Sequence, residues 1–329
     1  MNRKTVYFTA PYQVELREES LPAIGADEVL VETVCSAISA GTEMLVYRGQ
    51  FPQLTDVHDQ FSSDLKYPIA YGYACVGIIR ETGANVDRSF RDKLVFGFQP
   101  HTSGFICQPS DLILAPDSFS AETCSFLPNM ETAVNLVQDA APILGERVLV
   151  FGQGVVGLLT ASLLYEFPIE VLVTADCFDL RRNASLEIGV NETFDPKNIY
   201  QSIYAEEKFD LVLELSGNPT ALNEAIALTR YNGKIVIGSW YGGKVAPLDL
   251  GGMFHRSRIK MISSQVSTIA PELSGRWDKA RRFELAWKTL KRVQPQKWIT
   301  HRFPIEEASK AYELVDKNPH ETIQVLLEY

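Results

Sequence analysis

Three glycines and one aspartate are the residues of this chain whose types and spacing most directly imply chemistry. The apolar run Arg147–Phe151 breaks into Gly152-Gln153-Gly154-Val155-Val156-Gly157 and continues as the apolar stretch Leu158–Leu164. In a strand-turn-helix context the first glycine allows a tight turn and the second lets backbone approach a pyrophosphate. The third lets the helix pack closely on the sheet. Unpaired N–H groups at the helix start then face the anion. A second apolar stretch, Glu170–Ala175, ends at Asp176, 19 residues after Gly157, where a carboxylate for ribose hydroxyls belongs. The chain is expected to bind a dinucleotide through this turn and Asp176. An acid at that position repels a 2′-phosphate, which favours NAD(H); Arg181 and Arg182 nearby leave NADP(H) open.

The elements that must hold these residues follow from the pattern. The first ~115 residues read as short strands punctuated by Gly, Pro, Asp and Asn, with candidates at Val29–Val34, Ile69–Ile79, Lys93–Phe98 and Leu112–Ala115. Ala121–Ala140 reads as helical. From Arg147 strands (Arg147–Phe151, Glu170–Ala175, Asp210–Leu215, Gly233–Ser239, Arg258–Ser263) alternate with helices (Val155–Leu164, Leu180–Ile188, Ala221–Thr229), as a doubly wound parallel sheet requires. Asn232-Gly233 reads as a turn before a strand. Asp278–Arg292 and Ile305–Val315 read as helices and Thr322–Leu327 as a closing strand.

Composition narrows the class. The chain has 329 residues, which calls for two domains, and 46% hydrophobic with 22% charged residues is globular. A net charge of −10 argues against a nucleic-acid partner. The apolar runs are too short for a membrane helix, and the N-terminus shows no signal peptide. Five scattered cysteines fit reduced thiols in a cytoplasm.

The arrangement resembles the medium-chain dehydrogenase/reductase superfamily across essentially the whole chain. The resemblance is carried by Gly152–Gly157, by Ala184–Gly189, by Asp210–Gly217 and by Ile299–Ala308. It implies an α/β fold: a GroES-like β-rich catalytic domain at 1–129 and 266–329, and a Rossmann domain at 130–265. Shorter phrases, Ile38–Glu43, Leu127–Ala133 and Phe254–Ile259, resemble a zinc-lacking subgroup that contains bacteriochlorophyllide a dehydrogenase.

Many superfamily members hold a catalytic zinc, and this chain departs from their pattern. Ser39 stands near the first ligand, Gly72-Tyr73-Ala74 replaces the His-Glu pair, and Asn129-Met130-Glu131 supplies neither Cys nor His at the third. No zinc is expected, so hydrogen-bond donors must polarise a substrate carbonyl or accept an alcohol's proton. Tyr73 is the first catalytic candidate, with a core tyrosine as its alternative. Thr42 comes next. Glu131 either acts in catalysis or favours a helix dipole, and His255 suits proton exchange or a polar seam. Ser39, Asn129 and Tyr241 are expected at the substrate, and Ser216, Gly217, Gly238, Ser239 and Trp240 beside the nicotinamide. His58 and His101 read as loop residues with no motif. The basic run Arg276–Arg282 reads either as an anion receptor or as a solvated helix face.

The expected function is zinc-independent, NAD-dependent interconversion of a secondary alcohol and ketone on a small or medium-sized molecule. Reduction of an enone or quinone double bond is one alternative, and a non-catalytic nicotinamide-binding protein is another. A homodimer is expected through the last Rossmann strand, Arg258–Ser263.

Overall fold

The computed structural model describes residues 2–51 and 65–329; His58 lies outside them. The chain forms two compact units, Met1–Pro128 with Gln294–Tyr329, and Asn129–Val293.

The first unit begins with β1 (Asn2–Ala10), β2 (Gln13–Ser20), β3 (Val29–Ile38), helix α1 (Thr42–Tyr47) and β4 (Ile69–Ala70). It continues with β5 (Cys75–Thr82), β6 (Leu94–Gly97), β7 (Gly104–Cys107), β8 (Leu112–Leu114) and the short helix α2 (Ala121–Cys124). In the second unit, helix α3 (Leu127–Ala140) leads to β9 (Arg147–Phe151), α4 (Val155–Leu164), β10 (Val171–Ala175), α5 (Asp179–Leu186) and β11 (Glu192–Phe194). Then come β12 (Phe209–Glu214), α6 (Ala221–Leu228), β13 (Thr229–Ile237), β14 (Lys260–Ser263) and α7 (Lys279–Val293). β15 (Ile299–Pro304), α8 (Ala308–Lys317) and β16 (Gln324–Glu328) return to the first unit.

Two sheets build the first unit. β2-β1-β4 is one, and β15-β16-β3-β5-β6-β8, with β7 also on β3, is the other. Its core gathers Val6, Phe8, Met44, Val46, Tyr312 and Leu327 from four distant stretches of chain. Burying each such side chain contributes about 1.5–3 kcal/mol. The stretch expected as one strand, Ile69–Ile79, is two. Gly72 interrupts it at φ +125°, and a side chain there would strike the His101 ring at 2.7 Å.

The second unit is a six-stranded sheet in the order β11-β10-β9-β12-β13-β14, with every pairing parallel. All five residues of β9 and of β10 are buried. Strands covered on both faces by helices read as unbroken apolar runs for that reason. The strand order reverses between β9 and β12, the position at which open α/β sheets take their ligands.

Three further differences from the sequence expectation have a clear physical cause. Ala121–Ala140 is two helices, because Ser120 caps α2 through the Thr123 N–H and Pro128, lacking a donor, begins a new first turn. Asn232 lies inside β13 at φ +60°, opposite a register shift on β12, so Asn232-Gly233 is a bulge within the strand. Residues 266–293 group with the second unit and not the first, because α7 sends Arg282 onto Glu131 and Asn135 of α3. The cysteines are free thiols, four buried and Cys177 exposed. Among the described residues no helix is long and apolar enough to cross a membrane.

Candidate active site

The glycine turn lies where β9 ends. Gly152 has φ +86°, and a Cβ on it would lie 2.5 Å from the Leu215 carbonyl oxygen. On Gly157 a Cβ would lie 1.9 Å from the Gly152 oxygen, so helix and turn are in backbone contact there. Gly154 caps α4 and has nothing within 4 Å of its would-be Cβ, which leaves an open cradle beside the first N–H groups of the helix. Gly152 and Gly157 thus do the turning and close packing expected of the motif. Asp176, directly after β10, is buried. Its Oδ2 accepts the Gln153 N–H at 2.7 Å and its Oδ1 accepts the Phe178 N–H at 2.9 Å. Arg181 lies 3.9 Å from Asp176 and over the Phe178 ring, and burial lowers its pKa. Arg182 donates to the Asp176 carbonyl at 2.6 Å. Both arginines are therefore engaged beside the acid.

Ser216 and Gly217 follow β12, and Ser239 follows β13. The Gly217 N–H donates to Ser239 Oγ at 2.9 Å, which joins the two loops. Ser216 donates from its backbone N–H, at 2.8 Å, and from its hydroxyl to Glu214, a fully buried carboxylate. Tyr241 donates to the other Glu214 oxygen at 2.5 Å, so the residue expected at the substrate is a brace within its own unit. Trp240 is 43% exposed beside it. Gly238 packs against Leu136 and Leu215.

The first unit holds a cluster of hydroxyls over a buried carboxylate. Tyr73 donates to Ser39 Oγ at 2.5 Å, and the Thr42 N–H reaches the same oxygen at 3.4 Å. Ser39's own hydroxyl proton has no acceptor among the described residues. Burial first, and the charge of Glu43 second, push the Tyr73 phenol up to about 12, while hydrogen bonding with Ser39 and Thr42 pulls the other way. Glu43 is completely buried. Its Oε1 accepts the Ser39 N–H at 3.1 Å, and its Oε2 meets His101 Nε2 at 2.9 Å and the Tyr312 hydroxyl at 2.6 Å. His101 continues through Nδ1 to Ser36 Oγ at 2.6 Å, and Ser36 to the Tyr329 hydroxyl at 2.7 Å. A carboxylate only accepts, so Nε2 carries the proton it shares with Glu43. On a neutral ring Nδ1 then takes the Ser36 proton.

His101 corrects the reading of it as a loop residue: it is fully buried and bonded on both nitrogens. The signal for it was indirect. Glu43 stands directly before Met44-Leu45-Val46-Tyr47, all buried, and a carboxylate in that company needs partners from elsewhere.

Glu131 is drawn off differently. Its Oε1 receives Arg282 through Nε at 3.0 Å and NH2 at 2.8 Å, and Lys279 at 2.8 Å. Arg282, also fully buried, spends its other donors on Asn135 and on the carbonyls of Val266 and Thr268. This ion pair takes Glu131 out of the catalytic candidates. It also draws Lys279 and Arg282 out of the basic run, whose Arg276 and Arg281 stay exposed as a solvated face expects, with Arg281 stacked on Trp277 at 4.1 Å. Asn129 is half-buried at the start of α3. His255 is exposed, its ring bonded to no described residue, and no interaction links it to the glycine turn or to Ser216.

A parallel sheet with a glycine-cradled switch point, in one chain with a β-rich unit, defines a two-unit α/β protein with a dinucleotide-type turn. Residues 155–283 match the zinc-binding dehydrogenase family. L-threonine 3-dehydrogenase of Xanthomonas euvesicatoria is 23% identical over 92% of this chain and 93% of its own. Among solved structures, an alcohol dehydrogenase of Escherichia coli complexed with NADH shares the fold at TM-score 0.79 and 19% identity, over 100% of this chain and 99% of its own. Galactitol-1-phosphate dehydrogenase of the same species does so at TM-score 0.79 and 19% identity, over 99% and 100%. In sequence and in fold the chain is similar to the medium-chain dehydrogenase/reductase superfamily.

Proposed function

We propose that this protein is a zinc-independent, NAD(H)-preferring oxidoreductase that interconverts a ketone and a secondary alcohol. The observation that carries the reading is the open cradle at Gly154, flanked by buried Asp176. The relatives named for alcohol substrates, threonine and galactitol 1-phosphate dehydrogenases, support the alcohol–ketone class.

Gly154, Val155 and the α4 N-terminus would hold the pyrophosphate, and Asp176 the adenosine ribose. The reduced nicotinamide supplies a hydride when bound. Arg181 and Arg182 are turned to Asp176 and its neighbours, which supports NAD(H) over the phosphorylated form.

The residues present do not fit a catalytic zinc. Tyr73, Ala74 and Ser39 offer a phenol, a methyl and a hydroxyl, and Glu131 is held by Arg282 and Lys279. Among the described residues no three His, Cys, Asp or Glu group as metal ligands. The phenol, methyl and hydroxyl at the former ligand positions support placement in a zinc-lacking subgroup. The hydroxyl cluster then stabilises the developing alkoxide. Because the single proton of Tyr73 goes to Ser39, the hydroxyl with a proton left to give is Ser39, backed by Tyr73 and Thr42. A phenol near 12 stays protonated at neutral pH, which suits donation during carbonyl reduction.

We also propose a homodimer: β14 pairs with β13 alone, leaving an open sheet edge with Ile262 exposed. The enzyme reading is tested by following NADH loss with a panel of ketones, enones and quinones, with deuteride located in the product. Deuterium on a carbinol carbon, undiminished by chelator, supports it. Deuterium β to a retained carbonyl, or turnover abolished by chelator and restored by zinc, overturns it.

A further inference from the structure

We propose that Glu214 is a positioning residue for the nicotinamide half of the cofactor, fixing the loops after β12 and β13 as one platform. The proposal rests on the dinucleotide reading above. Glu214 is the last residue of β12, paired in register with Phe151, the residue before Gly152, and with Ile237 at the end of β13. It therefore stands at the carboxyl ends of the central strands. Its carboxylate is completely buried and takes all its bonds from those two loops. Oε1 holds the backbone and hydroxyl of Ser216; Oε2 holds the Tyr241 hydroxyl at 2.5 Å. The main chain repeats the tie. The Glu214 carbonyl accepts the Gly238 N–H at 3.0 Å, and the Gly217 N–H reaches Ser239 Oγ at 2.9 Å.

A buried carboxylate is a costly brace where an apolar residue would pack more cheaply, and such local violations concentrate where function needs a fixed shape. The adenosine end is organised separately. Asp176 is bonded to Gln153, Phe178 and the arginines of α5, and it follows β10, which β9 separates from the Glu214 strand β12. The two halves of the cofactor are thus held by independent polar clusters, and loss of Glu214 weakens one of them.

The experiment compares two ligands, NADH by its fluorescence and ADP-ribose, which lacks the nicotinamide, by calorimetry. Glu214→Gln leaves an amide that cannot accept on both sides, and NADH affinity falls about tenfold while ADP-ribose stays within about twofold. Tyr241→Phe removes one of the same bonds without touching the carboxylate. It gives a smaller loss in the same direction and serves where Glu214→Gln fails to fold. Equal weakening of both ligands by either soluble variant, or unchanged NADH affinity in both, overturns the proposal. A parent protein that takes up neither ligand overturns the dinucleotide reading, and this proposal with it.

Discussion

Glu131 and Glu43 are both buried carboxylates, one in each unit, and they are solvated by opposite means. Glu131 sits among cations, with Arg282 forked onto one oxygen and Lys279 beside it. Glu43 has an imidazole, a phenol and a backbone N–H. The first arrangement neutralises its charge locally and ties α7 to α3, as a structural clamp does. The second leaves the charge to act on its neighbours, and Tyr73 is pushed upward by it. A catalytic acid needs such a field, and a clamp does not. Glu214, bonded only by hydroxyls and an N–H, belongs with Glu43 in this respect.

The largest effect belongs to the clamp. Arg282→Ala strands Glu131 in the interior, and removing one partner of a buried pair costs about 3–5 kcal/mol. Urea unfolding is expected to show a loss of that size. A loss below about 1 kcal/mol would place Glu131 among groups whose charge is free to act, and the contrast with Glu43 would collapse.

Next comes the hydroxyl cluster. Ser39→Ala is expected to lower kcat about 100-fold with NADH affinity nearly intact, the usual loss for one donor to a developing oxyanion. Tyr73→Phe leaves the Ser39 hydroxyl in place and is expected to cost about tenfold. If Tyr73→Phe proved the more damaging, the phenol itself would meet the substrate and the order of donors would reverse.

The unfolding equilibrium reports the Glu43 field at high pH. Tyr73 is raised from 10.0 to about 12 by burial and by Glu43, and burial raises Tyr312 and Tyr329 well above 10.0. Below pH 10 both folded and unfolded chains keep these protons, so the stabilisation is fully present. Above it the unfolded chain releases protons that the native chain retains, and stability falls as pH rises toward 12 and beyond. Roughly 1–3 kcal/mol should be lost over that interval from Tyr73 alone, and the other two phenols add to it. Tyrosinate absorbance of these phenols should appear together with the loss of helical circular dichroism. Smooth titration in a folded protein would mean that the phenols are solvated.

The two clusters also differ in how far the sequence exposes them. Gly152–Gly157 and Asp176 were legible because each task depends on near neighbours, and strands such as Arg147–Phe151 carry their burial in composition. The Glu43 network was not. Ser36 meets Tyr329 across 293 positions, and Glu43 meets Tyr312 across 269. No periodicity encodes such a pairing. His101, in a stretch that reads as polar loop, becomes buried only because Gly72 lets its ring pass. Glu131 misled for the same reason, since its partner Arg282 lies 151 positions away.

The smallest effect tests whether Asp176 belongs with the carboxylates that act or with those that clamp. Its oxygens already hold the N–H groups of Gln153 and Phe178, and Arg181 stands 3.9 Å away, so it has some features of each. As a ribose acceptor it favours NADH through hydroxyl bonds and disfavours NADPH through repulsion of the 2′-phosphate. Asp176→Ala removes both terms and uncovers Arg181, so the affinity ratio of NADH to NADPH should shift about tenfold toward NADPH. A pure clamp predicts something else: both cofactors weaken together, in proportion to the loosening of the glycine turn, and the ratio stays put. Titrating the same preparation with both nucleotides separates the two, because loosening of the turn cancels in the ratio and charge discrimination does not.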